Sequence, residues 1–353
     1  MNINNLSLKE KIGQRFIVGI NNENTDDIIE LIQNAHLGGV VLYKKNYHNY
    51  QEMLDLIKKL KNANKENKIP LFIAIDQEGG KVNRLPNEIN NLINIYDFSK
   101  QNKKDIGKYA NTLTNILAET GINMNFAPVI DIYNNSNSNV LYKRCFYGNS
   151  HDVLENGKEY IKNTNKQVIS VIKHYPGHGS SKKDSHFIIP YIFDYKTILN
   201  KHIYPFNELM KKNADAIMIG HLTIRKLTNL LPASISNMFI NKYIKNNYNG
   251  LVITDEINML KRNLFYHYIY LNKALTSNND IILIKIKNKN EFYQIMNKYN
   301  KLLNKNNNYL NNLNDNITNI INIKKKYNVN DNTNYKGLDI NKINHDIDLI
   351  NNK

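Results

Sequence analysis

The chain has 353 residues, 41% of them hydrophobic, which is long enough for one large α/β barrel or two domains and too apolar for wholesale disorder. No apolar run approaches the roughly 20 residues needed to cross a bilayer, and the first residues lack the layout of a signal peptide, so a cytoplasmic protein without membrane insertion is expected. The formal net charge is +16, but the basic residues are almost all lysine and scattered, so no nucleic-acid partner is expected and the field serves at most to draw in small anions.

In chain order, strand-like runs rich in β-branched residues fall at residues 15–20, 39–43, 71–76 and 124–131, then at 168–174, 216–221, 251–256 and 280–286. Between them apolar residues recur at helical spacing. Ile28, Ile29, Ile32 and Ala35 make one such face, and Met53, Leu54, Ile57 and Leu60 another. Near-continuous apolar strands alternating with helices predict a parallel sheet covered on both sides. Eight such units at this length predict an α/β fold, a single (β/α)8 TIM-like barrel. An open doubly wound sheet is the alternative, but its G-x-G-x-x-G turn after the first strand is absent. From Asn304 onward Asn and Lys dominate. A helix over 310–323 is expected to close a domain spanning 1–326, leaving 327–353 as a polar tail with a weak amphipathic segment over 338–350.

Polar residues cluster where barrel chemistry is built, at the C-terminal ends of the strands. Asp76, Asp131, Lys173-His174, His221 and Asp255-Glu256 end five consecutive runs. Helix capping is the competing explanation for Asp131 taken alone. The segment from Lys173 to His186 holds three further signals: glycines that predict a mobile loop, histidines, and Asp184 two residues before His186. A carboxylate that orients an imidazole makes a general acid/base pair suited to neutral pH. Metal ligation by His174, His178, Asp184 and His186 is the rival reading, though a glycine-rich loop is a poor rigid frame for it. Asp76 with Arg84 suits sugar hydroxyls, since a carboxylate accepts from vicinal hydroxyls and a guanidinium donates back. A plain helix N-terminus with surface charges is the alternative. Strand alternation puts Asp255 and Glu256 on opposite sides, so one is expected to face the site, and the pattern leaves open which. The single cysteine, Cys145, excludes an intramolecular disulfide and any multi-cysteine metal site.

Together the segments IGQRFIVGI, GGVVLY, IDQEGGKVNRL, NFAPVIDI, KRCF, KHYPGHGSSKKDSH, PASIS and ITDEINM resemble family 3 glycoside hydrolases. The resemblance is to the bacterial β-N-acetylhexosaminidases that act on peptidoglycan fragments, and it runs over residues 12–290. It implies Asp255 as nucleophile, His186 as acid/base and Asp184 as its orienting partner. It also implies that Asp76, Arg84, Arg144, Lys173 and His174 bind the sugar. Two departures stand out: Cys145 replaces the usual serine after Arg144, and Glu256, Ile257 and Asn258 replace the more usual Asp, Leu and Ser.

The activity so implied is that of a retaining exo-β-N-acetylglucosaminidase working through a covalent glycosyl-enzyme, with no metal or organic cofactor and a sugar or muropeptide as its small-molecule partner. Neutral imidazole does not repel an incoming anion, so a phosphorylase using the same site is the alternative within enzymes. A catalytically silent sugar-binding barrel is the alternative outside them.

Overall fold

The computed structural model describes residues 3–21, 24–133, 141–181, 189–212, 214–260, 264–335 and 337–352. Eight parallel strands lie side by side: β1 (Phe16–Gly19), β2 (Gly39–Leu42), β3 (Phe72–Ile75), β4 (Met124–Asn125), β5 (Ile169–Tyr175), β6 (Ala216–Ile219), β7 (Leu251–Thr254) and β8 (Ile282–Lys285). Their order runs β8-β1-β2-β3-β4-β5-β6-β7. The remaining gap closes where Ile253 bridges Ile281, next to a 3.0 Å bond from Thr254 N–H to the Ile281 carbonyl. The expected (β/α)8 barrel is therefore present. Every residue of β1, β2, β3, β6 and β7 is buried, as strands with packed faces on both sides must be.

The helices form because the apolar stripes recur with helical period and because the chain's abundant asparagines supply caps. Asn49, Asn94, Asn149, Asn288 and Asn306 each accept a backbone N–H at the start of a helix. The helix Thr25–Ala35 buries Ile28, Leu31, Ile32 and Ala35, and Tyr50–Ala63 buries Met53, Leu54, Ile57 and Leu60. Gly13 lets the helix Leu8–Gln14 meet the end of the helix Thr25–Ala35, since a Cβ there would sit 2.0 Å from the Ala35 carbonyl oxygen. Among the described residues no helix is long and apolar enough to cross a membrane.

Two expectations change in the structure. The fourth strand is regular only over Met124–Asn125, because Pro128 has no N–H to give the ladder; pairing resumes where Ile130 N–H donates to the Lys173 carbonyl at 2.8 Å. The closing helix is longer than expected, Asn307–Lys326, and the chain beyond it packs on the barrel instead of trailing away. Asp331 accepts from Leu71 N–H at 3.0 Å and Asn64 Nδ2 at 2.8 Å, and Val329 is buried. The amphipathic segment forms the helix Ile340–Asn351, with Ile347 and Ile350 buried.

Candidate active site

A cavity of about 330 Å³ opens at the C-terminal ends of the strands. Of the residues expected to serve the site, Asp76, Arg84, Arg144, Lys173, His174 and Asp255 all line it. Asp184 and His186 lie outside the described residues.

One wall is built on β3 and the turn after it. Gly79 and Gly80 take positive φ values of 85° and 57°, and a Cβ at Gly79 would meet the Tyr109 hydroxyl at 2.1 Å. The turn is pinned by Glu78 N–H donating to the Val82 carbonyl at 3.0 Å and by the Tyr109 hydroxyl 3.0 Å from the Glu78 carbonyl. The Glu78 carboxylate thereby enters the cavity wall. It accepts from Arg144 Nε at 2.8 Å and Nη2 at 2.7 Å, a bidentate grip, and lies 2.7 Å from Lys173 Nζ. The same ammonium reaches Asp76 Oδ1 at 2.7 Å. Burial raises the Glu78 carboxyl, but Lys173 and Arg144 outweigh it and hold it far below the ordinary carboxylate range. Burial pulls the Lys173 ammonium down, and Asp76 and Glu78 more than restore it. The result is a fixed, ionised array on one side of the cavity.

Arg84 differs from its neighbours. Its backbone is held at both ends, N–H to Gln77 Oε1 at 2.7 Å and carbonyl from the Tyr47 hydroxyl at 2.8 Å, yet its buried Nε has no hydrogen-bond partner among the described residues. A positioned guanidinium with donor capacity left over suits a polar ligand.

Asp131 is fully buried and does not cap a helix. It accepts from His174 N–H at 3.1 Å, His174 Nδ1 at 2.8 Å and His178 N–H at 2.5 Å. It thus fixes the chain after β5 and commits Nδ1 of His174, which leaves Nε2 for the cavity. Burial raises the Asp131 carboxyl, but the bond and charge of His174 bring it below the usual value.

The glycines that the sequence assigns to a mobile loop serve close packing over the described part of it. A Cβ at Gly179 would lie 1.8 Å from the Ile132 carbonyl oxygen, and one at Gly177 would lie 2.6 Å from His202 Cβ.

Opposite stand Asp255 and Glu256, and here the expectation that one alone would face the site is corrected: both line the cavity. β7 ends at Thr254, so strand alternation no longer governs the two residues that follow. Asp255 Oδ1 accepts the Glu256 N–H at 2.8 Å, and Glu256 Oε2 pairs with Lys285 Nζ at 2.5 Å. Burial raises the Asp255 carboxyl, but His221, His174, the Glu256 amide and Lys173 together keep it below its ordinary value, ionised at neutral pH. Buried His221 stands behind. Its Nε2–H donates to the Glu256 carbonyl at 2.9 Å and its Nδ1 accepts from the Ser234 hydroxyl at 2.6 Å. Burial lowers its basicity, against the pull of the neighbouring Asp255 carboxylate.

The departures from the family pattern leave these groups in place. Cys145 is buried against Val129 and Leu141 while Arg144 still reaches Glu78. Asn258 accepts the Lys285 N–H at 3.1 Å and ties β7 to β8. Sequence reasoning missed Glu78, although it sits inside a segment already singled out; the signal was a second carboxylate two residues after Asp76. It also missed Lys285 as the partner of Glu256, for which spacing gave no sign. Among the described residues no group of three or more His, Cys, Asp or Glu is placed to hold a metal ion.

Residues 7–323 match the family model described as the glycosyl hydrolase family 3 N terminal domain. A beta-hexosaminidase A from Pseudoalteromonas piscicida is 30% identical over 288 residues, which is 75% of this chain and 48% of that protein. The chain therefore spans about half the length of that relative. A beta-hexosaminidase from Tolumonas auensis is 30% identical over 239 residues, covering 65% of this chain and 70% of its own. Among solved structures, a glycoside hydrolase family 3 beta-N-acetylglucosaminidase from Paenibacillus sp. str. FPU-7 superposes with a TM-score of 0.86 at 26% identity, over 98% of this chain and 68% of that one.

Proposed function

The chain belongs to glycosyl hydrolase family 3, and we propose that it is a retaining exo-β-N-acetylglucosaminidase acting on peptidoglycan fragments. Asp255 attacks the anomeric carbon of a terminal N-acetylglucosamine. His186, oriented by Asp184, gives its proton to the leaving oxygen as the glycosidic bond breaks. The covalent ester so formed is then opened by water, whose proton returns to His186, and the sugar leaves with its β configuration restored.

The observation that carries this reading is the sharing of one cavity by an ionised Asp255 and the Asp76–Lys173–Glu78–Arg144 array. The array offers fixed charged partners to vicinal hydroxyls, and Arg84 has donor capacity to spare. A cavity of about 330 Å³ is at the small end for ligand sites, as one sugar residue requires. The hexosaminidase names of the relatives favour an N-acetylated donor.

The test is hydrolysis of a chromogenic β-N-acetylglucosaminide beside the matching β-glucoside and β-N-acetylgalactosaminide, each with and without phosphate. Preference for the first, with release of free sugar in both buffers, is the expected result. Formation of N-acetylglucosamine 1-phosphate would replace hydrolysis by phosphorolysis, and preference for the glucoside would overturn the donor assignment.

A further inference from the structure

The loop that carries Leu141 and Arg144 to the cavity also carries Tyr142 and Tyr147, and both of these rings reach the surface, 45% and 37% exposed. They are not scattered. Tyr96, in the helix Ile95–Gln101, stands 5.3 Å from Tyr147 and 6.2 Å from Tyr142, centroid to centroid. Tyr133 stands 5.8 Å from Tyr96 and 5.6 Å from Tyr142, and it packs on the buried group of Val129, Leu141 and Cys145. Leu141 lines the cavity and Tyr133 packs on its buried group, so the four rings adjoin the cavity wall through that residue. An exposed aromatic patch continuous with a ligand cavity marks a binding surface.

The patch is also rigid. Lys143 Nζ pairs with Asp97 at 2.7 Å, Tyr147 N–H donates to Ser99 Oγ at 2.9 Å, and Arg144 between them is clamped on Glu78. Each exposed ring has an ammonium group over one face, Lys100 5.3 Å from the Tyr147 centroid and Lys143 5.6 Å from that of Tyr142, which leaves the other face for a ligand. A pyranose presents an apolar C–H face and a polar rim of hydroxyls. Tyrosine rings match the face, and neighbouring ammonium and phenol groups match the rim.

We propose that this tyrosine cluster is the platform for the leaving part of the substrate, where the second sugar ring of a β-linked oligosaccharide packs on Tyr142 and Tyr147. The inner cavity is sized for one residue, so the next ring must rest outside it, and the cluster is the aromatic surface that adjoins it through Leu141. The proposal rests on the glycosidase reading above and extends it to the aglycone.

The chain contains no tryptophan, so Tyr142→Trp installs a single reporter on the platform. In an Asp255→Ala background, which prevents turnover, tri-N-acetylchitotriose is expected to shift and saturate its emission, while N-acetylglucosamine, held by the inner cavity, is not. In the otherwise unchanged enzyme, kcat/KM for the trisaccharide relative to methyl β-N-acetylglucosaminide should fall about three- to tenfold in Tyr142→Ala and Tyr147→Ala, and should be mostly retained in Tyr142→Phe, which keeps the ring. An unmoved emission, or a ratio unchanged in both alanine variants, overturns the platform. If the wild type cleaves neither substrate, the glycosidase reading fails instead, and the emission titration still decides whether the platform binds sugar.

Discussion

The mouth and the floor of the barrel are both rich in buried charge, and they use it in opposite ways. At the floor, charged groups end on backbone groups that the strand starts leave over and, in the case of Lys245 and Asp280, on each other. Lys324 donates to Gln14 Oε1 at 2.9 Å, the Gly38 carbonyl at 3.1 Å and the Pro70 carbonyl at 2.5 Å, with its ammonium 4.1 Å from the Phe72 ring centroid. Arg15 donates to the carbonyls of Leu275, Ser277 and Asn279 and to the Tyr299 hydroxyl. Asp280 accepts from Lys245 at 2.6 Å and Val252 N–H at 2.7 Å. These groups seal the ends of the sheet, and their partners belong to the frame itself. At the mouth, charge pairs with charge around an open cavity, and Arg84 Nε has no partner among the described residues. Floor charge is spent on the frame and mouth charge faces a cavity, the division between stability and chemistry that this architecture leads one to expect.

The largest effect should come from the mouth. Asp255→Ala is expected to lower turnover more than about a thousandfold while circular dichroism shows a folded barrel. Glu256→Gln should keep a large part of the activity, and a fluorosugar that traps the covalent intermediate should label the peptide carrying Asp255. Label on Glu256 would reverse the two assignments.

Matched substitutions at the two ends sharpen the contrast. Glu78→Gln leaves two buried cations facing each other, so it should cost about 3–5 kcal/mol of stability by urea unfolding and also cut kcat/KM. Glu78 is depressed in the folded state, so its contribution is full above the unfolded carboxylate range and fades as the pH falls below it. Asp280→Asn at the floor should cost stability of the same order and leave kcat/KM of the folded enzyme unchanged. Equal kinetic damage from both would erase the distinction.

A smaller effect is expected from Asp76→Ala. Losing a charged partner to bound sugar should cost roughly 1.5–3 kcal/mol, or about ten- to a hundredfold in kcat/KM. An unchanged kcat/KM would return Asp76 to a purely structural role.

The smallest effect on activity, none, is expected from the floor. Burial brings Lys324 down to about 7, against the field of Asp331, so between pH 7 and about 10 the unfolded chain binds a proton that the folded chain releases. Stability should therefore rise over that window relative to Lys324→Met, with no parallel change in kcat/KM. Parallel stability curves for the two proteins would show that Lys324 stays charged throughout.

The sequence by itself determined the eight strands, the helices between them and most of the cavity's polar lining. Strand and helix periodicities are local, and a parallel barrel gathers every strand end at one mouth, so residues such as Asp76, Lys173 and Asp255 could be placed there by position alone. Only the tertiary structure decided who pairs with whom. Glu78 and Arg144 lie 66 residues apart, and their bidentate contact depends on two irregular loops whose backbone follows no period. The same holds for Asp255 and Glu256. They share the cavity because the chain leaves β7 two residues earlier than the apolar run suggests, at Thr254, where alternation ceases to apply. The C-terminal residues read as solvent-exposed because asparagine and lysine dominate them. They pack because Asp331 and a few apolar side chains, Val329, Ile347 and Ile350, find partners on a surface that only the finished barrel provides.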